Sequence, residues 1–263
     1  MSGAPAVLAL PAGIWLAGRY GYPVVVGMAA AAALVPLAAF PWLPSGAGRT
    51  MAAGDAEGGH AVRLIDGLRD AGQLRPSLIF AASTVAAGVV VSFLPLASGV
   101  SGNIAAAGLL VQALAATTSG WWAGRNGDRH GHAGLLAPAL AIASLGMAAM
   151  IWLASPIAVI AAMCLFGTGF GILENATMTL MVGRMPASAG TASALWNLAY
   201  DAGYGAGPAV FGLFAGHTGY PAAFAVTGAL MAAAVPMALR ERSAATVASV
   251  GSMPARGEPQ PGA

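Results

Sequence analysis

Six uninterrupted apolar runs of about twenty residues decide what this chain can fold into: residues 77–97, 101–123, 135–153, 156–182, 191–215 and 221–239. A helix rises about 1.5 Å per residue, so ~20 apolar residues cross the ~30 Å hydrocarbon core of a bilayer. A water-soluble chain of 263 residues has no interior large enough to hide so many segments of that length. Two more runs precede them, a short one at 4–17 and a longer one at 24–43. All are continuous and rich in Ala, Leu and Gly, not alternating over ~10 residues, which favours helices over a β-barrel. The expected fold is all-α: a polytopic membrane helical bundle of about eight spans.

Charge then sets the orientation. Only 8% of residues are charged, and all eleven basic residues are arginines. If the runs are successive spans, ten arginines share one side: Arg49, Arg63, Arg69, Arg75, Arg125, Arg129, Arg184, Arg240, Arg242 and Arg256. Only Arg19 falls on the other, and the connections 98–100, 154–155 and 216–220 carry none. Positive charge stays inside, so the expected location is the inner (cytoplasmic) membrane, multi-pass, with the C-terminus in the cytoplasm. The pI near 9.0 therefore reads as topology and not as affinity for nucleic acid.

The remaining composition narrows the chemistry. A single cysteine, Cys164, argues against disulfides and paired-cysteine metal sites. His130 and His132 alone do not make a zinc site, and no phosphate-binding loop is present, so no metal, cofactor or catalytic constellation is expected. Residues 45–75 form the one long polar segment between spans. Its first part is glycine-rich; after it, Val62, Leu64, Ile65 and Leu68 alternate with charges as in a short amphipathic helix on the cytoplasmic surface. A plain solvated linker helix is the competing reading. Residues 241–263 are polar and rich in Gly, Pro and Ser, the composition of a disordered cytoplasmic tail.

One charged stretch stands out against this background. Between the runs 101–123 and 135–153, Gly124-Arg-Asn-Gly-Asp-Arg-His-Gly131 reads as a tight charged turn joining two spans. Its order, Gly124-x-x-x-Asp128-Arg129-x-Gly131, resembles the Gly-x-Leu-Ala-Asp-Arg-x-Gly-Arg/Lys signature of the major facilitator superfamily. Asn126 stands where Leu is usual, and His132-Ala133 replaces the basic pair. Residues Gly167-Thr-Gly-Phe-Gly171, Glu174-Asn-Ala-Thr177, Asn197, Tyr200-Asp-Ala-Gly203 and Gly207-Pro208 are similar to the fourth and fifth helices of the second half in efflux members.

The resemblance implies a six-helix C-terminal transporter half at 76–240, a cytoplasmic linker at 45–75, and two helices at 1–44 that end the N-terminal half. Helices one to four of the family have no counterpart, so an N-terminally truncated transporter is expected. The implied activity is secondary active transport: proton-coupled efflux of a small solute or drug-like molecule by alternating access. The alternative is a non-transporting remnant, or a partner subunit that needs a separate N-terminal half. Small solute, protons and lipid are the expected partners.

Candidate residues follow from cost. Glu174 and Asp201 are the only carboxylates inside the runs, and a charge at mid-bilayer costs about 2.5–3.5 kcal/mol on insertion scales. They are the proton-coupling candidates, the competing role being a helix–helix hydrogen bond; Asp201 is expected near a helix start, where it would cap or pair. Asn175, Trp196, Asn197 and Tyr204 are the substrate-path candidates. Asn197, Asp201, Gly205 and Pro208 step along one helical face. The resemblance makes Gly124, Asp128, Arg129 and Gly131 a conformational gate, with Asp128 pairing in one state to the start of the first span or to Arg184. Read without it, they are topological charges in a turn. Gly167/Gly171, Gly203/Gly207 and Gly212/Gly216 have the spacing of close helix contacts.

Overall fold

Three of the long helices begin where a polar side chain takes over an orphan backbone N–H. The computed structural model describes residues 70–97 and 99–251 with Arg19, Gly21 and Val24, and side chains through residue 244. The two early runs, most of the linker with its surface helix, and the end of the tail lie outside the described residues. Asp70 caps α1 (Ala71–Phe93) by accepting from Gly72 N at 2.8 Å. Ser101 caps α2 (Gly102–His130) through Ile104 N. His132 precedes α3 (Ala133–Ala149). Ser155 caps α4 (Pro156–Arg184), whose first residue is a proline with no N–H to satisfy. Next come α5 (Ala189–Thr218), α6 (Tyr220–Ala232) and α7 (Val235–Gly251). Among the described residues there is no strand.

The protein is a helical membrane bundle. Five described segments are long and apolar enough to cross a bilayer: Ala71–Leu96, Gly102–His130, Ala133–Trp152, Pro156–Arg184 and Tyr220–Ala244. The last joins α6 to α7 across a turn at Ala233 and Ala234. Pro236 lacks the N–H that would have continued the helix there. At 30 residues α5 has the length to cross but is too polar to qualify by composition, an effect of the residues treated as site candidates above.

Lipid removes the hydrophobic drive between helices, so association rests on close packing of small residues. A Cβ on Gly167 would strike the Gln112 backbone, and one on Gly171 the Ala116 backbone. These contacts lay α2 and α4 side by side in parallel. Gly203 meets Thr84 and Ala81 in the same way, and Gly207 meets Val85, seating α5 parallel to α1. From α4, Gly169 meets Ala139 and Ala143, and from α3, Gly146 meets Ala162 and Phe166, so α3 crosses α4 antiparallel. Phe80, Phe166, Leu136, Leu140, Met147, Met163 and Leu173 fill the shared interior and are fully buried. The third glycine pair makes no backbone contact among the described residues: Gly212 meets only the Phe93 ring, at 3.5 Å, and Gly216 meets nothing within 4 Å.

Three boundaries differ from the sequence reading. Residues 71–75, assigned to the linker, are the first turns of α1. The stretch expected as a turn at 124–131 is helical through His130, and the reversal is confined to Gly131 and His132. The helix that closes the bundle runs through Glu241, which had been assigned to the tail, and on to Gly251.

Candidate functional site

Two clusters concentrate the polar chemistry of the described bundle: one at the end that carries the arginines, the other halfway along α4 and α5.

At the arginine end, the first turns of α1, the last turn of α4 and α7 converge. Arg184 Nη2 donates to Glu241 Oε2 at 2.6 Å, and Arg184 Nη1 donates to the Gly72 carbonyl. Arg75 Nη1 lies 4.0 Å from Glu241 Oε1. Glu241 is 2% exposed and is the one charged residue among the buried described residues. Gln73 adds a second tie from α1 to α4, donating to the Met181 carbonyl at 3.2 Å. The cluster answers what Arg184 binds. In this structure it grips Glu241 and not Asp128.

Asp128 instead sits in the last turn of α2, 74% exposed, with its carboxylate 3.9 Å from His132 Nε2. Asp128 thus lies at the C-terminal end of its helix, where the helix dipole disfavours negative charge. Gly131, at φ 88°, ends the helix in a conformation that favours glycine. Gly127 is buried because a Cβ there would strike the His132 ring. Burial lowers the His132 pKa from its ordinary 6.5, with Asp128 pulling the other way. Arg129 is exposed at the helix end. Gly124 faces Asn175 of α4, a Cβ there meeting Asn175 Nδ2 at 3.5 Å. Gate motif and path candidate are thus neighbours. Trp121, one turn earlier, is exposed and carries Arg125 over its ring at 3.8 Å.

The second cluster is a stack of rings. Trp196, Tyr200 and Tyr204 recur every four residues along α5, with centroids 5.8 Å and 5.5 Å apart, the tyrosine pair nearly parallel at 9°. From α1, fully buried Phe80 stacks on Trp196 at 4.5 Å. The Trp196 indole Nε1 donates to Thr177 Oγ1 at 3.0 Å, and Thr177 donates in turn to the Leu173 carbonyl at 2.7 Å, tying the stack to α4. Glu174 and Asp201 both act electrostatically on Tyr200, so α4 and α5 bring the two carboxylates to one neighbourhood. Glu174 is half-buried and Asp201 exposed.

Their depths agree. Glu174 lies ten residues before the end of α4 and Asp201 twelve residues after the start of α5, roughly 15 and 18 Å along the axes. Both lie well inside helices that are roughly 44 and 45 Å long. Asp201 is therefore not a capping residue at a helix start, as had been expected. Asn197 is exposed and donates to the Ser193 carbonyl at 2.8 Å, one turn back in its own helix. Asn175 Oδ1 is buried without a hydrogen-bond partner among the described residues.

A model of the Major Facilitator Superfamily matches residues 1–208, from the first residue through Pro208 of α5. The chain belongs to the major facilitator superfamily. No curated protein matches it. Members of this superfamily are membrane transporters of small molecules and not enzymes.

For this superfamily member, the sequence pointed at Trp196, Tyr204, Glu174 and Asp201, which share a neighbourhood, and at Asn197, which faces outward beside it. Phe80, Thr177, Tyr200 and Glu241 were missed. Tyr200 was findable from the four-residue recurrence of rings at 196, 200 and 204. Nothing local marked Phe80, Thr177 or Glu241, whose partners lie on other helices.

Proposed function

We propose that this chain acts in proton-coupled efflux of a small, drug-like solute, with residues 76–240 acting as one rocking half. The observation that carries the reading is the placement of two carboxylates, Glu174 and Asp201, in the interiors of the packed helices α4 and α5. An ionisable group at that depth is costly to keep, and it earns its place by binding or moving charge. Glu174 and Asp201 take and release the proton; Asn175, Trp196, Asn197 and Tyr204 face the solute. Access alternates as this half rocks against another about the mid-membrane site. Asp128 and Arg129 are exposed in the last turn of α2, which supports a gate role for Gly124, Asp128, Arg129 and Gly131. The arginine distribution supports an inner-membrane protein with the arginine end and C-terminus in the cytoplasm.

A second reading follows from the exposed stripe of Asn197, Asp201 and Gly205 on α5. A polar stripe on a membrane helix needs a water-filled or protein face opposite, so the chain works beside helices supplied in trans. Reconstitution of the full chain into liposomes, with an internal pH-sensitive dye and an outward solute gradient, tests the primary reading. Solute-driven proton movement is expected, lost in Glu174→Gln. Undiminished coupling in that variant removes Glu174 from the mechanism. Coupling only after co-reconstitution with a second half favours the second reading.

A further inference from the structure

We propose that the bare face of α2 at the arginine end, formed by Trp121, Trp122, Arg125 and Arg129, holds an anionic phospholipid of the adjoining leaflet. The inference needs α2 to span a membrane and holds whether or not the chain transports.

α2 has two unlike sides. Gln112, Ala116, Gly120 and Gly124 recur every four residues and pack on α4. At 3.6 residues per turn, Leu114, Thr118, Trp121, Trp122, Arg125 and Arg129 fall on the opposite side, within a sector of about 100°. All six are exposed. Trp121 is 65% and Trp122 49% exposed, so two indoles at the end of an apolar run stand without a protein cover.

Charge names the cover. Arg184 and Arg75 are spent on Glu241. The guanidiniums of Arg125 and Arg129, by contrast, make no ion pair or hydrogen bond among the described residues. Arg125 lies over the Trp121 ring at 3.8 Å, which steadies its planar fork and leaves its N–H donors open to a phosphate. Asp128, at the edge of the face, would repel a phosphate. Its carboxylate lies toward His132, 3.9 Å away, and two arginines against one aspartate leave the face positive.

The order of residues along the helix favours a lipid over a protein. Leu114 to Trp121 is about 10 Å, and Arg125 and Arg129 follow at steps of about 6 Å. Thr118 returns its hydroxyl to the Leu114 carbonyl at 2.9 Å, so the inner stretch presents little polarity. Apolar, aromatic and then basic is the order in which a leaflet passes from hydrocarbon through the interface to anionic headgroups. A protein would have to set acids opposite the arginines and also cover two indoles. One anionic phospholipid does both.

The test reads tryptophan emission of the full chain in phosphatidylcholine liposomes that carry brominated phosphatidylglycerol or, separately, brominated phosphatidylcholine. Bromine quenches a tryptophan only at close contact. The brominated anionic lipid should quench more at equal fraction, and Trp121→Phe should remove most of that excess. Arg125→Gln should lower the preference for phosphatidylglycerol about fivefold, while Arg125→Lys keeps most of it. Arg240→Gln, at an exposed arginine of α7, should leave it unchanged. Equal quenching by the two lipids overturns the proposal. So does an equal loss in Arg125→Gln and Arg240→Gln, the mark of diffuse surface charge. Excess quenching that survives both Trp121→Phe and Trp122→Phe overturns it too, since protein then covers the face. Thermal unfolding verifies each variant, and if Arg125→Gln does not fold, the two-lipid comparison on the unaltered chain and Trp121→Phe decides.

Discussion

Glu241 and Asp201 are both carboxylates on long helices of one bundle, and their surroundings are opposite. Glu241 is almost wholly buried, held by Arg184 at 2.6 Å with Arg75 close by. Asp201 is exposed, beside tyrosines, on a helix that carries no arginine. A buried acid with a guanidinium fork has its charge balanced and its lone pairs occupied, so it fixes three helix ends. In the proposed mechanism the acid among the rings binds what arrives, so that the same side-chain chemistry serves architecture at one depth and traffic at the other.

The hardest test of that contrast is removal of each carboxylate. Glu241→Ala strands Arg184 in a partly buried position and should destabilise the bundle by about 3–5 kcal/mol. The check is the unfolding midpoint in detergent, with Asp201→Asn expected to unfold close to the parent. If Asp201→Asn proves the more damaging of the two, the assignment of roles is wrong. Packing gives the next effect. Gly171→Val forces a side chain into the Ala116 backbone and should cost about 1–3 kcal/mol or more, whereas Gly216→Ala, with open space around it, should be neutral or gain up to ~1 kcal/mol. Equal losses at both sites would mean that the glycine contacts do not hold α2 to α4.

A smaller effect separates the ring stack from the arginine cluster. Thr177→Val removes the acceptor of the Trp196 indole and should cost about 0.5–1.5 kcal/mol, with a shift in tryptophan emission that Glu241→Gln does not reproduce. An unshifted spectrum would show that the indole is held by Phe80 alone. The smallest effect is one of pH. His132 has a lowered pKa in the folded protein, so the unfolded chain binds protons more readily below 6.5. Stability is then full above that value and declines as pH falls through 6.5 toward the lower folded pKa. His132→Asn should flatten this limb of a stability–pH curve, and Asp128→Asn, by removing the opposing charge, should lower the His132 pKa further in an NMR titration. A rise in that pKa would reverse the assigned role of Asp128.

The legible parts of this molecule were those written in one helix at a time. Membrane-length runs, the glycine pairs at 167/171 and 203/207, and the aromatic and acidic residues of α4 and α5 all stand at spacings that a single helix reveals. The Gly124 stretch misled for a local reason. Three glycines, an asparagine and an aspartate read as a turn, since glycine within a helix costs about 1 kcal/mol relative to alanine. The helix persists because Gly120 and Gly124 lie against Gly171 and Asn175 of α4, and that packing outweighs the local preference. Glu241 misled for the opposite reason. Flanked by Arg240 and Arg242, it looked like the start of a solvated tail, and its partner is 57 residues away.

By itself, the sequence determined that this protein is an α-helical membrane protein of the superfamily its motif resembles, because apolar length and charge placement act on each segment independently. It also marked which polar residues the bilayer would have to tolerate. Only the tertiary structure decided what those residues do for one another. It brought Arg184 to Glu241 and left Asp128 facing His132, and it drew Glu174 and Asp201 to one tyrosine. Such pairings depend on which helices lie side by side and at what register, and that is set by glycine contacts between helices, which no single segment contains.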